Sequence, residues 1–244
     1  MTMTEPTSNS IGTRAMMLAA GLGTRMRPLT NERPKPLVKV AGKPLIDHAL
    51  ERLREAGVEE AVVNVHYKAD MLENHLSGVE RPSIIISDER EELLETGGGL
   101  VKALPHLGPE PFFMVNTDSL WIEGARPSLD RLRRSWNDET MDMLLLICST
   151  IQSCGYSGQG DFHCDADGTL TRRAENEIAA FVFTGVYLVH PRIFKDAPEG
   201  KFSMNVLFDK AIETGRLKGL RHDGIWMEIN TPEAVETAEQ ILQD

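Results

Sequence analysis

Short apolar runs alternate along the chain with segments whose apolar residues recur every three or four positions. The runs have the composition of strands buried on both faces, and they are residues 15–20, 61–65, 84–86, 112–115 and 143–147. The segments with helical periodicity are residues 44–56, 69–76, 99–104 and 129–136. Because strand and helix alternate, the pattern predicts a parallel sheet covered by helices on both faces.

The pattern changes after residue 150, where the elements stop alternating regularly. In chain order the second half predicts a hairpin over residues 161–171, a strand over 181–189, a helix over 204–214, a strand over 225–228 and a last helix over 232–242. No repeat or linker divides the chain, so we expect one α/β domain over residues 14–244. The polar residues 1–13 are expected to form a disordered tail.

Net charge and composition exclude several classes of protein. The chain has 244 residues, of which 26 are basic and 37 acidic, and a formal net charge of −11. Such a charge repels nucleic acid, and no apolar stretch is long enough for a membrane span. The three cysteines are too scattered for a disulfide framework. With a polar start that does not resemble a signal peptide, the sequence predicts a cytoplasmic protein.

The first predicted strand runs into a loop rich in glycine and in basic residues. Glycines at the end of a buried strand allow the backbone to approach a ligand, and their N–H groups can bind phosphate. The basic residues that follow are Arg25, Arg27, Arg33 and Lys35. A dinucleotide fingerprint would need a third glycine at Met26, and a Walker P-loop would need Ser or Thr where Pro44 stands. The loop therefore predicts a phosphate-binding site of another kind.

A long gapped motif carries a family resemblance. Leu18-Ala19-Ala20-Gly21-Leu22-Gly23-Thr24-Arg25, together with Pro34-Lys35-Pro36-Leu37, resembles the signature of the sugar-1-phosphate nucleotidyltransferases. The resemblance extends through residues 95–99, 116–118, 183–186 and 226–233. Within that family, residues 94–99 and 158–162 are similar to the N-acetylmuramate 1-phosphate uridylyltransferases. The resemblance implies a Rossmann-like mixed, mainly parallel sheet flanked by helices.

The resemblance also implies roles for individual residues. The nucleotide-binding residues would be Leu18, Ala20, Gly21, Gly23, Thr24, Arg25, Thr96, Gly97 and Gly98. The sugar would contact Asn116, Gly158, Asp161, Glu175, Thr184 and Gly185. Catalysis would rest on Arg25, Lys35 and Asp118. Magnesium would be held by Asp118 and by Glu228, although the family usually has Asp at the second position and Gly where Asn230 stands.

The chemistry of the implied reaction agrees with these assignments. A sugar-phosphate oxygen attacks the α-phosphorus of a nucleoside triphosphate, and pyrophosphate leaves. The attacking phosphate is largely ionised at neutral pH, so the obstacle is bringing two polyanions together rather than removing a proton. Cations and a metal ion lower that obstacle. Asp118 follows a predicted strand, and its carboxylate is an oxygen ligand of the kind that Mg²⁺ prefers.

The sequence therefore predicts uridylyl transfer from UTP to a sugar 1-phosphate, with N-acetylmuramate α-1-phosphate favoured, in cell-wall recycling. Two alternatives are a mannose- or heptose-1-phosphate guanylyltransferase and a regulatory subunit that binds nucleotide-sugar without catalysis. Arg172 or Arg173 is a candidate partner for the lactyl carboxylate of muramate. The acidic run 88–92 is interpreted as a solvated loop.

Overall fold

The computed structural model describes residues 11–243. Its strands are β1 (Arg14–Leu18), β2 (Lys39–Val40), β3 (Lys43–Pro44), β4 (Glu60–Val65), β5 (Ser83–Asp88), β6 (Phe112–Asn116), β7 (Ser119–Ile122), β8 (Met143–Ser149), β9 (Ser153–Cys154), β10 (Phe162–Cys164), β11 (Leu170–Arg172), β12 (Phe181–Val189), β13 (Leu217–Arg221) and β14 (Ile225–Glu228). Its α-helices are α1 (Leu45–Glu55), α2 (Ala69–Leu76), α3 (Glu95–Leu107), α4 (Ser128–Ser135), α5 (Asn205–Glu213) and α6 (Pro232–Gln243).

The main sheet has a parallel half and an antiparallel half. Strands β6, β1, β4 and β5 lie side by side in that order, and all of their pairings are parallel. On the other side of β6, the long strand β12 runs antiparallel and pairs in turn with β8 and β10. Strand β13 joins β8 in parallel, and β11 completes the hairpin with β10. The predicted mixed sheet flanked by helices is confirmed.

Helices pack on both faces of the sheet. Successive side chains of a strand point to opposite sides, and in the central strands both sets of side chains are mainly apolar. In β1, Ala15 and Met17 belong to the same buried cluster as Leu53 of α1. The intervening Met16 faces the other cluster, which includes Leu100 of α3. A buried strand between two helical layers is therefore apolar throughout, as the run at residues 15–20 predicted.

The boundaries differ from the prediction at the start of the chain and at the third helix. Residues 1–10 of the predicted tail lie outside the described residues. Ile11, however, is buried, and the backbone N–H of Gly12 donates to the carbonyl of Pro111 at 2.8 Å. Helix α3 begins at Glu95, so the predicted start at Gly99 is wrong and the glycine cluster lies inside the helix.

Several strands were not predicted, and one of them matters for the site. Strand β7 pairs with β14 in a small second sheet, which β9 completes. The register places Glu228 opposite Ser119, and the N–H of Ile229 donates to the carbonyl of Asp118 at 2.9 Å. This pairing brings Glu228 beside the segment that follows β6.

Candidate active site

The site lies where β1 and β6 end. These strands are parallel neighbours, and Leu18 is opposite Asn116 at their carboxyl ends. The hydroxyl of Thr117 donates to the carbonyl of Leu18 at 2.9 Å, which holds the two chain segments together as they leave the sheet. The glycine loop after β1 and Asp118 after β6 therefore open side by side, at the edge where parallel sheets bind ligands.

Gly23 shapes the loop, and Gly21 leaves it open. Gly23 has a φ of +62°, a conformation that costs little only for glycine. A Cβ there would lie 2.9 Å from Cγ2 of Thr30 and 3.1 Å from Cβ of Lys35, so the absent side chain lets Lys35 approach the loop. A Cβ at Gly21 would have no heavy atom within 4 Å. Packing does not require glycine at this second position, and the space beside it is open.

Loop and strand ends together line a cleft of about 460 Å³, a volume typical of sites that bind small molecules. Its walls are Leu18, Ala19, Ala20, Gly21, Leu22, Gly23, Thr24, Arg25, Met26, Lys35, Pro36, Asn64, Leu93, Glu95, Thr96, Asn116, Thr117, Asp118 and Asn230. All of the residues implied as catalytic line this cleft. So do most of those implied as nucleotide-binding.

The cleft has two chemically different ends. Nζ of Lys35 lies 2.8 Å from Oδ2 of Asp118, and this ion pair stands on the β6 side of β1 together with Arg25. On the opposite side, Asn64 at the end of β4 and Leu93 after β5 form the wall, followed by Thr96. One end can therefore neutralise phosphate groups, while the other offers apolar and hydrogen-bonding surface.

Glu228 adds a second carboxylate to the charged end. Burial raises the pKa of its carboxyl above the ordinary value, and the negative charge of Asp118 raises it further. The positive charges of Arg25 and Lys35 act in the opposite direction. Two neighbouring carboxylates of this kind are a donor set that suits a divalent cation with oxygen ligands.

The protein donors at this end are nevertheless few. Within residues 11–243, no group of three or more His, Cys, Asp or Glu side chains is arranged to hold a metal ion. Asp118 and Glu228 therefore fit Mg²⁺ if substrate oxygens and water complete the coordination, which is usual for this reluctantly dehydrated ion.

Gly97 and Gly98 do not line the cleft. Both are buried in the first turn of α3, and their N–H groups donate to the carbonyl of Phe202 at 2.9 and 3.2 Å. A Cβ at Gly97 would collide with the ring of Phe202, and one at Gly98 would collide with the carbonyl of Gly200. The structure therefore places these two glycines at a packing contact, whereas Thr96 faces the cleft.

Of the residues implied as sugar-binding, Asn116 lines the cleft and the other five stand behind or beyond it. The hydroxyl of buried Thr184 donates to the carbonyl of Leu146 at 2.7 Å. Gly185 has a φ of +80°, and a Cβ there would lie 2.8 Å from Nδ2 of Asn116. These two residues form an irregularity in β12 that lets the strand pass close behind Asn116.

The remaining three residues belong to the loops of the second half. Oδ2 of Asp161 accepts the N–H of Phe183 at 2.8 Å. A Cβ at Gly158 would collide with the hydroxyl of Tyr156, and Glu175 is exposed in the loop after β11. The structure does not bring these residues together with the cleft.

Both candidate arginines are held by contacts within the protein. The guanidinium of Arg172 binds the carboxylate of Asp209 and, at 3.1 Å, Oδ1 of Asn205 on α5. Arg173 donates to the carbonyls of Gly160 and Glu175 at 2.8 and 3.0 Å. Because both side chains already hold protein groups, the structure does not support the predicted pairing with a lactyl carboxylate.

Two polar residues of the site were missed by sequence reasoning. Asn64 lines the cleft from a strand that was recognised only for its apolar residues. Glu89 is 1% exposed, so the interpretation of residues 88–92 as a solvated loop is wrong at that position. Asn64 interrupts an apolar strand and so gave a local signal, but nothing local distinguishes Glu89 from the acidic residues around it.

A cleft whose cations lie at one end, set at the carboxyl edge of a parallel sheet, defines an α/β protein whose site can hold a phosphorylated ligand. The match to known families is more specific. The chain belongs to the nucleotidyl transferase family, whose model matches residues 14–244.

Individual proteins agree with this assignment. The chain is 49% identical over 234 residues to an N-acetylmuramate alpha-1-phosphate uridylyltransferase from Caulobacter vibrioides, a match covering 94% of this chain and 97% of the relative. It is 34% identical to the protein of the same description from Neisseria meningitidis serogroup B, covering 89% and 93% of the two chains. A crystal structure of a UDP-glucose pyrophosphorylase complexed with UDP-glucose superposes with a TM-score of 0.79 at 17% identity, covering 96% and 98%. This last similarity establishes the fold.

Proposed function

We propose that the protein transfers a uridylyl group from UTP to N-acetylmuramate α-1-phosphate, giving the UDP-sugar and pyrophosphate. The observation that carries the proposal is the two-ended cleft, with Arg25 and Lys35 beside Asp118 at one end and Asn64 and Leu93 at the other. The choice of UTP and of the muramyl substrate rests on the relative that is 49% identical over 94% of this chain.

The charges of the cleft favour one orientation of the nucleotide. The triphosphate carries several negative charges and is attracted to Arg25 and Lys35. The far end holds the carboxylate of Glu95, which would repel phosphate. The uracil ring and ribose therefore lie against Leu18 and Leu93, and the α-phosphorus lies toward Lys35.

The proposed reaction needs alignment and charge neutralisation. An ionised oxygen of the sugar phosphate forms a bond to the α-phosphorus, and the bond from that phosphorus to the pyrophosphate oxygen breaks. Lys35 is held at the meeting point of the two substrates by its contact with Asp118, where its ammonium can offset the charge of the transition state. Arg25 holds the phosphates that leave.

Mg²⁺ would be held by Asp118 and Glu228, and when bound it would supply further charge neutralisation for the two phosphate groups. The geometry that suits this is the pair of carboxylates at the end of β6 and of β14.

The three cysteines are free thiols, which fits the reducing cytoplasm in which we place the reaction. Among residues 11–243, no helix is long and apolar enough to cross a membrane. A role in cell-wall recycling follows from the proposed substrate.

Pyrophosphate release from a grid of substrates tests the proposal. UTP, GTP, CTP and ATP are each combined with N-acetylmuramate, glucose and mannose 1-phosphates in the presence of Mg²⁺. We expect the highest kcat/KM for UTP with N-acetylmuramate α-1-phosphate. A higher value for GTP with mannose 1-phosphate would support a guanylyltransferase instead. Nucleotide-sugar binding without turnover of any pair would support a non-catalytic subunit.

A further inference from the structure

A buried carboxylate lies behind the nucleoside end of the cleft. Glu89 is 1% exposed, and none of the ion pairs formed within residues 11–243 involves it. Its Oε1 accepts a hydrogen bond from Nδ2 of Asn64 at 2.8 Å, and its Oε2 accepts one from the backbone N–H of Leu94 at 3.1 Å. Burial of a charge without a cation is costly, so the two donors must matter to the fold or to the site.

Asn64 extends this contact to Ala19, which lines the cleft. Its side chain is also buried, and its Oδ1 accepts the backbone N–H of Ala19 at 2.7 Å. Because the amide oxygen is committed to Ala19, the amide nitrogen must face Glu89. A continuous chain of hydrogen bonds therefore runs from Ala19 through Asn64 and Glu89 to Leu94.

The two ends of this hydrogen-bond chain belong to separate segments that line the cleft, one after β1 and the other after β5. Ala19 is part of the wall that follows β1, and Leu94 stands between the lining residues Leu93 and Glu95. The spacing between these walls decides whether a flat ring fits between them. Hydrogen bonds that fix the spacing before the ligand arrives reduce the entropic cost of binding.

Gly99 leaves room for the pair. A Cβ at this position would lie 2.6 Å from Oε1 of Glu89 and 3.0 Å from Nδ2 of Asn64. The last glycine of the cluster in α3 thus serves the contact between these two side chains. The ring of His66 binds the carbonyl of Glu89 at 2.7 Å and holds its backbone in place.

We propose that Asn64 and Glu89 are a positioning pair, which sets the distance between the Ala19 and Leu94 walls and thereby the affinity for the nucleoside. The proposal rests on the proposed function only in taking the cleft as the nucleotide site. A carboxylate is required at position 89 because it accepts two hydrogen bonds, whereas a glutamine amide accepts at one atom and donates at the other.

The donor and acceptor pattern provides a sharp test. In Glu89→Gln, the new NH₂ group faces either Nδ2 of Asn64 or the N–H of Leu94, so two hydrogen-bond donors face each other. In Asn64→Asp, two carboxylates meet. The double variant, which carries Asn64→Asp together with Glu89→Gln, completes the pattern again. Its carboxylate at position 64 accepts hydrogen bonds from the N–H of Ala19 and from the NH₂ group at position 89. The amide oxygen at position 89 accepts a hydrogen bond from the N–H of Leu94.

Calorimetric titration with UTP and Mg²⁺, without a sugar phosphate, measures the affinity directly. We expect each single variant to raise Kd about tenfold, the size of one lost buried hydrogen bond. The double variant should return to within about threefold of the wild type, since the coupling of contacting residues is large. Glu91→Gln, which changes an exposed neighbour, is the control and should bind like the wild type.

Steady-state kinetics separate positioning from a purely structural role. The single variants should raise KM for UTP while kcat stays within about threefold of the wild type, and the double variant should restore KM. Single variants that melt earlier but bind UTP normally would overturn the proposal, and so would a double variant that binds no better than the weaker single one. Should a single variant fail to fold, the folded double variant still decides, because unrestored affinity there overturns the pair. A wild-type protein that does not bind UTP would instead overturn the proposed function.

Discussion

The ammonium of Lys35 lies 2.8 Å from the carboxylate of Asp118 and joins the segment after β1 to the residue after β6 across 83 positions of sequence. The two side chains are 14% and 29% exposed, so solvent screens the pair only in part. Partly exposed ion pairs contribute little to stability. The contact is better explained by the proposed function, in which it places one cation and the carboxylate proposed to hold Mg²⁺ at the point where both substrates meet.

Substitution of the two cations should have different kinetic effects. Lys35→Ala should lower kcat by about 10²–10³-fold with a smaller change in UTP affinity, because in the proposed reaction Lys35 acts where charge develops in the transition state. Arg25→Ala should weaken UTP binding as well as turnover, because we propose that Arg25 holds the triphosphate in both the ground state and the transition state. Initial rates over a range of UTP concentrations, with Kd from calorimetry, distinguish the two.

A matched control for these variants is Lys39→Ala. Lys39 is an exposed cation close in sequence to Lys35 but outside the cleft, so its loss should leave kcat/KM nearly unchanged. Wild-type kcat/KM in both the Arg25 and Lys35 variants would contradict the site.

The carboxylate of Glu228 should set the magnesium requirement. Chelation should abolish turnover and added Mg²⁺ should restore it. Glu228→Gln removes the charge at nearly constant shape, so the Mg²⁺ concentration for half-maximal rate should rise roughly tenfold or more, as expected when a metal site loses a supporting group. Glu233→Gln, which alters an exposed residue of α6, should leave the titration unchanged. Full activity in excess chelator would exclude the metal, and an unshifted Glu228→Gln titration would place this side chain outside its coordination.

The sequence was informative where local pattern decides structure. The apolar runs that became β1, β4, β6 and β8 are buried on both faces, so their composition alone identified them. Strand β7 was missed because Ser119–Ile122 follows a site loop and is stabilised by pairing with β14, which lies far along the chain. Long-range pairing of this kind leaves no periodic signal in a short segment.

The same distinction holds within the site. The glycine loop and Asp118 were located because each directly follows a strand that the sequence identified. Glu89 was assigned to solvent because it stands among other acidic residues, and its burial depends on Asn64, which is 25 positions away. The roles of Gly97 and Gly98 were likewise hidden, since the segment that packs on them at Phe202 follows more than a hundred residues later.

Stability should fall below neutral pH because of His222. This side chain is buried in the folded state, and burial there lowers its pKa below the ordinary value of 6.5. The unfolded chain binds a proton near pH 6.5, so acidification below that value stabilises the unfolded state relative to the folded one. Melting temperatures measured at about pH 7.5 and about pH 5.5 should show a smaller loss for His222→Asn than for the wild type.

The two proteins are compared by how far the melting temperature falls on acidification, because the variant also loses the contact of His222 with Ser128, 3.1 Å away. The loss of that contact lowers stability at both pH values and does not change the size of the fall. Burial also lowers the pKa of His48 and His190, so part of the acid sensitivity should remain in the variant. Equal losses on acidification in the two proteins would show that His222 does not contribute.

Alanine substitutions at Gly21 and Gly97 should distinguish a glycine that borders the ligand cleft from one that is required for packing. A methyl group at Gly21 meets no protein atom within 4 Å, so Gly21→Ala should melt like the wild type while its Kd for UTP rises several-fold, because the methyl group enters the cleft. A methyl group at Gly97 collides with the ring of buried Phe202. Overpacking of this kind costs about 1–3 kcal/mol, and the better helix propensity of alanine offsets at most about 1 kcal/mol of it. Gly97→Ala should therefore melt earlier and keep most of its UTP affinity. Thermal melts and UTP titrations of both variants check this pair of expectations. An unchanged melt with lost UTP affinity in Gly97→Ala would instead place this glycine against the base, as the family resemblance implies.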